Sequence, residues 1–373
     1  MKPQINHAHK EMTLDEIRHA LNARLIGDGS LIVHRIVEPL DATSNHDLAL
    51  ALQPGFLELM EKSNSRVAVV TEELDIPADL LDAALVVSRP RHALAILTQL
   101  FARKQENAPG IHPSAVVDPS ATVAASASIG ALSFIGANVV IEENVQIMPN
   151  VTIAAGSKIG AGSLLHSGVR IGEDTIVGER AIIHGNACIG ADGFSFATPE
   201  AGSVESAKST KEVAQTNKNI ARIHSLGAVI LEDEVEVGAC TTIDRATIGR
   251  TIVRRGTKID NLVMIAHNTD LGQDCLIAGQ TGISGSCRIG NRVVMGGQVG
   301  VADNLSIGDD VVLAAATGVA RNVPEKMFMV GTPALPYSEA VSRYKAIGRL
   351  KRLFKDVFAL GKRVSMIEKQ LQK

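Results

Sequence analysis

Residues 141–165 read IEENVQIMPNVTIAAGSKIGAGSLL, with an aliphatic side chain at Ile141, Ile147, Ile153, Ile159 and Leu165. The spacing of six holds back to Ile111 and forward to Ile189 without a miss. It resumes at Leu231, Val237 and Ile243, slips phase once, and runs on from Val253 to Val319. A period of six fits neither a helix, at 3.6 residues, nor an amphipathic strand, at two. It is the pattern of a parallel β-helix of hexapeptide repeats. Each hexad is a short strand plus a tight corner. Three hexads close one triangular coil, so residues 18 apart stack on one face. The first residue of each hexad points inward, and each such burial contributes roughly 1.5–3 kcal/mol.

Composition agrees with a narrow core. Aromatic residues make up 3% of the 373 and tryptophan is absent, so the interior is built from Ile, Val, Ala and Gly. A net charge of −3 gives no electrostatic footprint for nucleic acid. The four cysteines form no CxxC pair. Cys275 and Cys287 fall at the fifth place of their hexads and read as small core residues. No apolar run marks a signal peptide or a membrane span, so the expectation is a soluble, cytoplasmic protein.

The chain separates into three regions. Residues 1–109 read as an α/β domain. Thr13-Leu14-Asp15-Glu16 is a capping box for a helix through Arg24. Strands are expected at Leu31–Val37, Arg66–Val70 and Ala84–Val87, and a helix from Pro90 to about Lys104. Residues 110–334 carry the repeat, broken by a segment at 194–222 without six-residue rhythm. An insert of that length is a functional or mobile loop, able to close over a ligand. Residues 335–373 are expected to be helical. Leu350, Leu353, Val357, Leu360, Val364, Ile367 and Leu371 form one apolar stripe, and the other faces carry Arg349, Lys351, Arg352 and further basic residues. That stripe packs on itself or a sister chain, or the basic faces dock an acidic partner.

Among the histidines, His166 and His184 stand 18 apart and should stack. They lack a third ligand at any obvious spacing, so no metal site is expected. His184 precedes Asp192-Gly193-Phe194 and is placed to line a cleft. His267 is the strongest single candidate. Gly285 lies 18 residues on and should stack against it. An imidazole beside a free backbone N–H is the pairing acyl transfer needs, one group taking a proton and the other stabilising an oxyanion. Asp260, seven residues upstream, could orient the ring or stand exposed. A structural role for a lone histidine stays open.

Four segments carry a resemblance: Asp192-Gly193-Phe194-Ser195-Phe196-Ala197, the run from Val237 to Arg245, Ile259-Asp260-Asn261, and Ile265-Ala266-His267-Asn268. Together they resemble the UDP-3-O-acylglucosamine N-acyltransferases of lipid A biosynthesis, the lipid anchor of lipopolysaccharide. The resemblance spans nearly the whole chain. It implies a left-handed parallel β-helix with an N-terminal uridine-binding α/β domain and C-terminal α-helices, assembled as a homotrimer. It further implies transfer of a 3-hydroxyacyl chain from acyl carrier protein to the 2-amine of UDP-3-O-acylglucosamine. The donor would ride on the carrier's phosphopantetheine, with no cofactor of the enzyme's own. His267 would be the general base, Gly285 the oxyanion donor, and Asp260 and Asn261 would flank them. Asp192, Phe194, Phe196 and His184 would lie near the nucleotide sugar and lipid. Arg349, Lys351 and Arg352 would meet the carrier protein. Gly318 stands where the family often has a larger residue that limits acyl length, which implies room for a longer chain.

The chain also differs from the family pattern. Gln53-Pro54-Gly55-Phe56 stands where Asn-Pro-Lys-Tyr usually holds the uracil, so Gln53 would hydrogen-bond and Phe56 would stack. Asn304 replaces a second histidine. These differences leave an alternative, a hexapeptide acyltransferase acting on another nucleotide-linked amino sugar. A third reading, a carbonic-anhydrase-like or non-catalytic coil, lacks the three converging histidines it requires.

Overall fold

A computed structural model describes residues 10–371 except 75, 76, 78, 104–106, 332 and 333. The chain divides into two compact units, Met1–Glu106 and Asn107–Lys373.

The first unit is a five-stranded sheet in the order Arg24–Gly27, Ala83–Val87, Val67–Thr71, Asp47–Ala51, Arg35–Val37. The first pair is antiparallel and the rest are parallel. Helix α1 (Leu14–Leu21) opens on the Thr13–Glu16 capping box. It stops at Asn22, which takes a left-handed conformation, so it ends short of Arg24. Residues 24–27 are needed instead as the edge strand beside Ala83–Val86. The stretch expected as one strand from Leu31 breaks into Ile32–Val33 and Arg35–Val37. Helix α2 spans Pro54–Met60 and helix α3 spans Pro90–Phe101.

The second unit is built by the hexads. Its strands form three parallel sheets of nine, eleven and ten strands among the described residues. Successive coils pair in register, Gln146 with Leu164 and Ile147 with Leu165, for example. From Ile129 onward the first-place aliphatics are sealed from solvent. A second inward column comes from the fifth places, including Val139, Val145, Val151, Ser157, Ser163, Cys275 and Cys287. Corner residues such as Asn138, Asn144, Asn150, Asn186 and Asn268 sit at positive φ, a conformation Asn tolerates better than most residues. The architecture is a left-handed parallel β-helix.

Two irregularities shape one side of it. The chain leaves the coil after Asp192, but the insert is not structureless. Phe196–Ala197 pairs antiparallel with Ala221–Arg222, and Ser203–Thr210 forms helix α4. The phase slip lies between Thr242–Arg245 and Arg250–Val253, where both strands lengthen from two residues to four. Cys188–Asp192 pairs with Thr242–Arg245 along this extension, with a register shift between Ile189 and Ala191.

The tail is a single helix, α5 (Tyr337–Leu371), with no buried residue. Among the described residues, no helix is long and apolar enough to cross a membrane.

Candidate active site

His267 follows the strand Met264–Ile265, at the start of a corner. Two glycines confine its ring. A Cβ built on Gly193 would stand 2.8 Å from His267 Cδ2 and 3.0 Å from its Cβ. One built on Gly285 would stand 2.9 Å from both Cε1 and Nε2. Only glycine lets both backbones come this close. The stacking expected of Gly285 therefore holds, and Gly193 closes another side of the ring.

The ring's tautomer is set by its neighbour. Asn268 Oδ1 accepts from the Thr247 N–H at 3.0 Å, and Asn268 Nδ2 donates to the Ile248 carbonyl at 2.9 Å. Those backbone partners fix which end of the amide is oxygen. His267 Nδ1 lies 3.1 Å from the same Oδ1, so it must donate. The proton sits on Nδ1, and the lone pair sits on Nε2, the atom facing Gly285. Among the described residues, neither Nε2 nor the Gly285 N–H has a hydrogen-bond partner. The Gly285 carbonyl does have one, the Asn304 N–H at 3.0 Å.

The lengthened strands bring carboxylates to the same place. Ala191 pairs with Asp244, and Asp192 with Arg245. Burial pushes the Asp244 carboxyl up to about 6, the Asp192 carboxylate adds to the rise, and His267 opposes it. Asp192 itself pairs with Arg222 at 3.1 Å, and the Arg222 guanidinium lies 5.6 Å from the centre of the Phe196 ring. Phe194 meets Phe196 edge-on, with centroids 5.0 Å apart. Phe194, Phe196, Val204 and Ile220 line a cavity of about 600 Å³ inside the insert.

The strand that leads to His267 also begins a glycine column. Met264 pairs with Gly282, Gly282 with Gly300, and Gly300 with Gly318. A Cβ on Gly300 or Gly318 would meet nothing within 4 Å, so the surface there is an open trough.

Other sequence candidates make contacts of their own. Asp260 does not orient His267. Its carboxylate accepts from the Asn261 and Gly279 N–H groups, at 2.7 and 2.9 Å, and so ties neighbouring corners together. Asn261 does the same work, accepting from the Ala239 N–H at 2.7 Å. His184 stacks on His166 as spacing requires, with centroids 5.0 Å apart, and its Nε2 lies 2.9 Å from Glu236. Burial, then the neighbouring His184, lowers the pKa of His166. Among the described residues, no three His, Cys, Asp or Glu side chains are grouped to hold a metal. In the first unit, exposed Gln53 precedes α2, and Phe56 packs half-buried against its small-residue core. Arg349, Lys351 and Arg352 lie exposed on α5.

Sequence reasoning missed Asn268, Gly193 and Asp244 as parts of the centre. Asn268 carried a signal, since an Asn at a corner is placed to turn its amide onto backbone. Asp244 carried none, because its position depends on the phase slip.

Comparison with known proteins settles the family. Residues 111–194 match the family described as the GMPPB C-terminal domain. The UDP-3-O-acylglucosamine N-acyltransferase of Ruegeria pomeroyi is 52% identical over 95% of this chain and 98% of its own. The chain belongs to the UDP-3-O-acylglucosamine N-acyltransferase family. A protein of the same name from Paracoccus denitrificans is 56% identical over 74% of this chain and 75% of its own. Another from Syntrophus aciditrophicus is 43% identical over 96% and 93%. Among solved structures, Arabidopsis UDP-N-acetylglucosamine acyltransferase shares the fold, with a TM-score of 0.51 and 20% identity over 60% of this chain and 71% of that one. The protein is an acyltransferase, and His267 with its glycine walls is the strongest candidate centre of its second unit.

Proposed function

We propose that the protein moves a 3-hydroxyacyl chain from the phosphopantetheine thioester of acyl carrier protein to the 2-amine of a UDP-linked 3-O-acylglucosamine, a step of lipid A biosynthesis in the cytoplasm. The observation that carries this reading is the clamped His267, with its lone pair on Nε2 beside an unused Gly285 N–H. The amine nitrogen attacks the thioester carbon while Nε2 takes its proton. The Gly285 N–H donates to the oxygen as negative charge develops there. The tetrahedral intermediate collapses, the C–S bond breaks, and the imidazolium returns the proton to the leaving thiolate. The products are an amide and a free phosphopantetheine thiol.

The acyl chain lies along the trough over Gly282, Gly300 and Gly318, and the insert cavity takes other apolar parts of the acceptor. Gln53 and Phe56 hold the uracil in the first unit. The active assembly is a homotrimer, and the basic faces of α5, with Arg349, Lys351 and Arg352, receive the acidic carrier protein.

The test is transfer from 3-hydroxyacyl carrier protein to UDP-3-O-acylglucosamine, with parent and His267→Ala in parallel. A fall of about 10²–10⁴ in the variant is expected for loss of a general base. An inactive parent that is folded and accepts another nucleotide-linked amino sugar would replace this acceptor. That second reading draws on Gln53-Pro54-Gly55-Phe56, which differs from the family's usual uracil-holding segment.

A further inference from the structure

Among the described residues, the half-buried Asp244 carboxylate makes no hydrogen bond and no ion pair. Comparable aspartates each have a cation. Buried Asp47 lies 2.6 Å from Arg35, half-buried Asp270 lies 2.9 Å from Arg254, and Asp192 has Arg222. The arginine next to Asp244 in the chain is engaged elsewhere. Arg245 donates to the Gly227 carbonyl at 2.7 Å and pairs with Glu173 at 3.3 Å. Burying a charge without a partner is unfavourable, and the effect is visible in a carboxyl raised to about 6.

The coil sets this carboxylate beside the general base. Ile243 pairs with Ile265 on the next rung. Asp244 is one place beyond the first and His267 two places beyond the second, so both stand at the same corner of adjacent rungs. The groups that act on the Asp244 carboxyl are His267, which opposes its rise, and Asp192, which adds to it. Burial raises the neighbouring Cys188 thiol, Arg170 opposes that, and Asp244 adds to it. Of these three titratable neighbours only His267 can become a cation, and the transfer requires it neutral, with its lone pair on Nε2. The cation that suits Asp244 therefore comes from outside the chain.

Acyl transfer to an amine supplies one. An amine on a sugar carbon, with oxygen-bearing carbons on either side, resembles an α-amino group, which titrates at about 7.7–8.0. Near neutral pH the acceptor is mostly an ammonium ion, without a lone pair to attack with. Two protons must leave its nitrogen, one before attack and one during it, and Nε2 has room for one. We propose that the Asp244 carboxylate binds the acceptor's 2-amine as the ammonium ion and takes the first of these protons. The inference rests on the amino acceptor proposed above and adds a catalytic residue to that reaction. An N–H bond breaks, an O–H bond forms on Asp244, and the freed lone pair attacks the thioester carbon. Nε2 takes the second proton and returns it to the leaving thiolate. Asp244 then releases its proton to water, so one proton leaves per turnover. A carboxyl near 6 serves both halves of this cycle. It is ionised when the ammonium arrives, and it is a better base than an ordinary aspartate at about 3.9.

The test compares the parent with Asp244→Asn in transfer from 3-hydroxyacyl carrier protein to UDP-3-O-acylglucosamine, as kcat/KM for the acceptor from about pH 6.5 to 9. The parent takes the ammonium form, so its kcat/KM should be flat until the amine itself deprotonates near about pH 8. The variant takes only the neutral amine. Its kcat/KM should be about 10- to 100-fold lower near pH 7 and should rise about tenfold per pH unit toward the parent's value. KM for the carrier protein should not change. Asparagine keeps the shape of the side chain and removes a buried charge, and circular dichroism checks the fold. The parent's profile is a test in itself, whatever becomes of the variant. A parent that rises with pH as the variant should, or a variant whose loss is uniform across pH or absent, overturns the role of Asp244 and leaves the acyl-transfer reading intact. A folded parent inactive toward UDP-3-O-acylglucosamine fails that reading instead, and the same two profiles are then decisive on the amino sugar it does accept. A parent that acylates no amine sinks both.

Discussion

Replacing Asn268 by alanine removes the acceptor that holds His267 Nδ1–H, at 3.1 Å, and touches no group that meets substrate directly. The lost hydrogen bond is worth about 0.5–1.5 kcal/mol. Freedom of the ring to rotate or to change tautomer adds to that. Together the expected loss is about 1–3 kcal/mol of transition-state stabilisation, or about 5- to 150-fold in kcat/KM. The ring stays caged by Gly193 and Gly285, so the loss should stop short of the roughly 10²–10⁴ expected for His267→Ala. Because Asn268 acts through His267, the double variant should be no slower than His267→Ala alone. Asn268→Asp keeps an acceptor for Nδ1–H and for the Thr247 N–H, but sets an oxygen against the Ile248 carbonyl. It should retain more activity than the alanine variant. The assay is the initial rate of acyl transfer from carrier protein, with circular dichroism to check folding. Losses that multiply in the double variant, or an alanine variant within twofold of the parent, would refute the tautomer argument.

The same geometry yields further expectations. Gly193→Ala drives a methyl to 2.8 Å from His267 Cδ2, so kcat should fall at least tenfold while the circular dichroism spectrum is unchanged. An active variant would show that the wall at Gly193 is soft. Asp244 has its carboxyl raised from 3.8 to about 6, so the folded state loses stability as pH rises through that interval. The difference corresponds to about 3 kcal/mol unscreened, and partial solvent access reduces it to about 1–2 kcal/mol. Asp244→Asn should therefore match the parent near pH 4 and be more stable at pH 7 in urea unfolding; equal stability at pH 7 would contradict this. Gly318→Met and Gly300→Met should each shorten the preferred acyl chain. The second should cut it by about four more methylenes, one coil of about 4.8 Å, and indifference of both to chain length on mass-spectrometric profiling would remove the trough from the reaction.

The repeat made the second unit legible because one rule, an inward aliphatic every six residues, governs each coil alike. Stacking at 18 residues is enough to place Gly285 on His267 and His184 on His166. Nearness in sequence was the poorer guide. Asp260 is seven residues from His267, but it follows a strand of a different sheet and serves its own corners. The parts that broke the rule were not legible. Helix α4, the Phe196–Arg222 pairing and the Asp244 position arise where the hexads stop or slip, and local composition there read only as loop. In the first unit the Arg24–Gly27 strand was hidden by the helix before it. The chain turns at Asn22, and tertiary pairing with Ala83–Val86 makes the next residues a strand.

Coils that pair through identical register allow this protein to change length only in whole rungs. Adding or removing 18 residues within the regular stretch would preserve each inward column and slide whatever lies beyond it by one strand spacing. An insertion of one residue in a strand would instead turn its core side chains outward. Corners escape this quantum, because their side chains already face solvent. The long excursion after Asp192 and the extra residues after Arg245 both leave the coil there. The same division between rigid rungs and permissive corners lets a lineage alter what the centre receives without disturbing the frame that aligns His267 with Gly285.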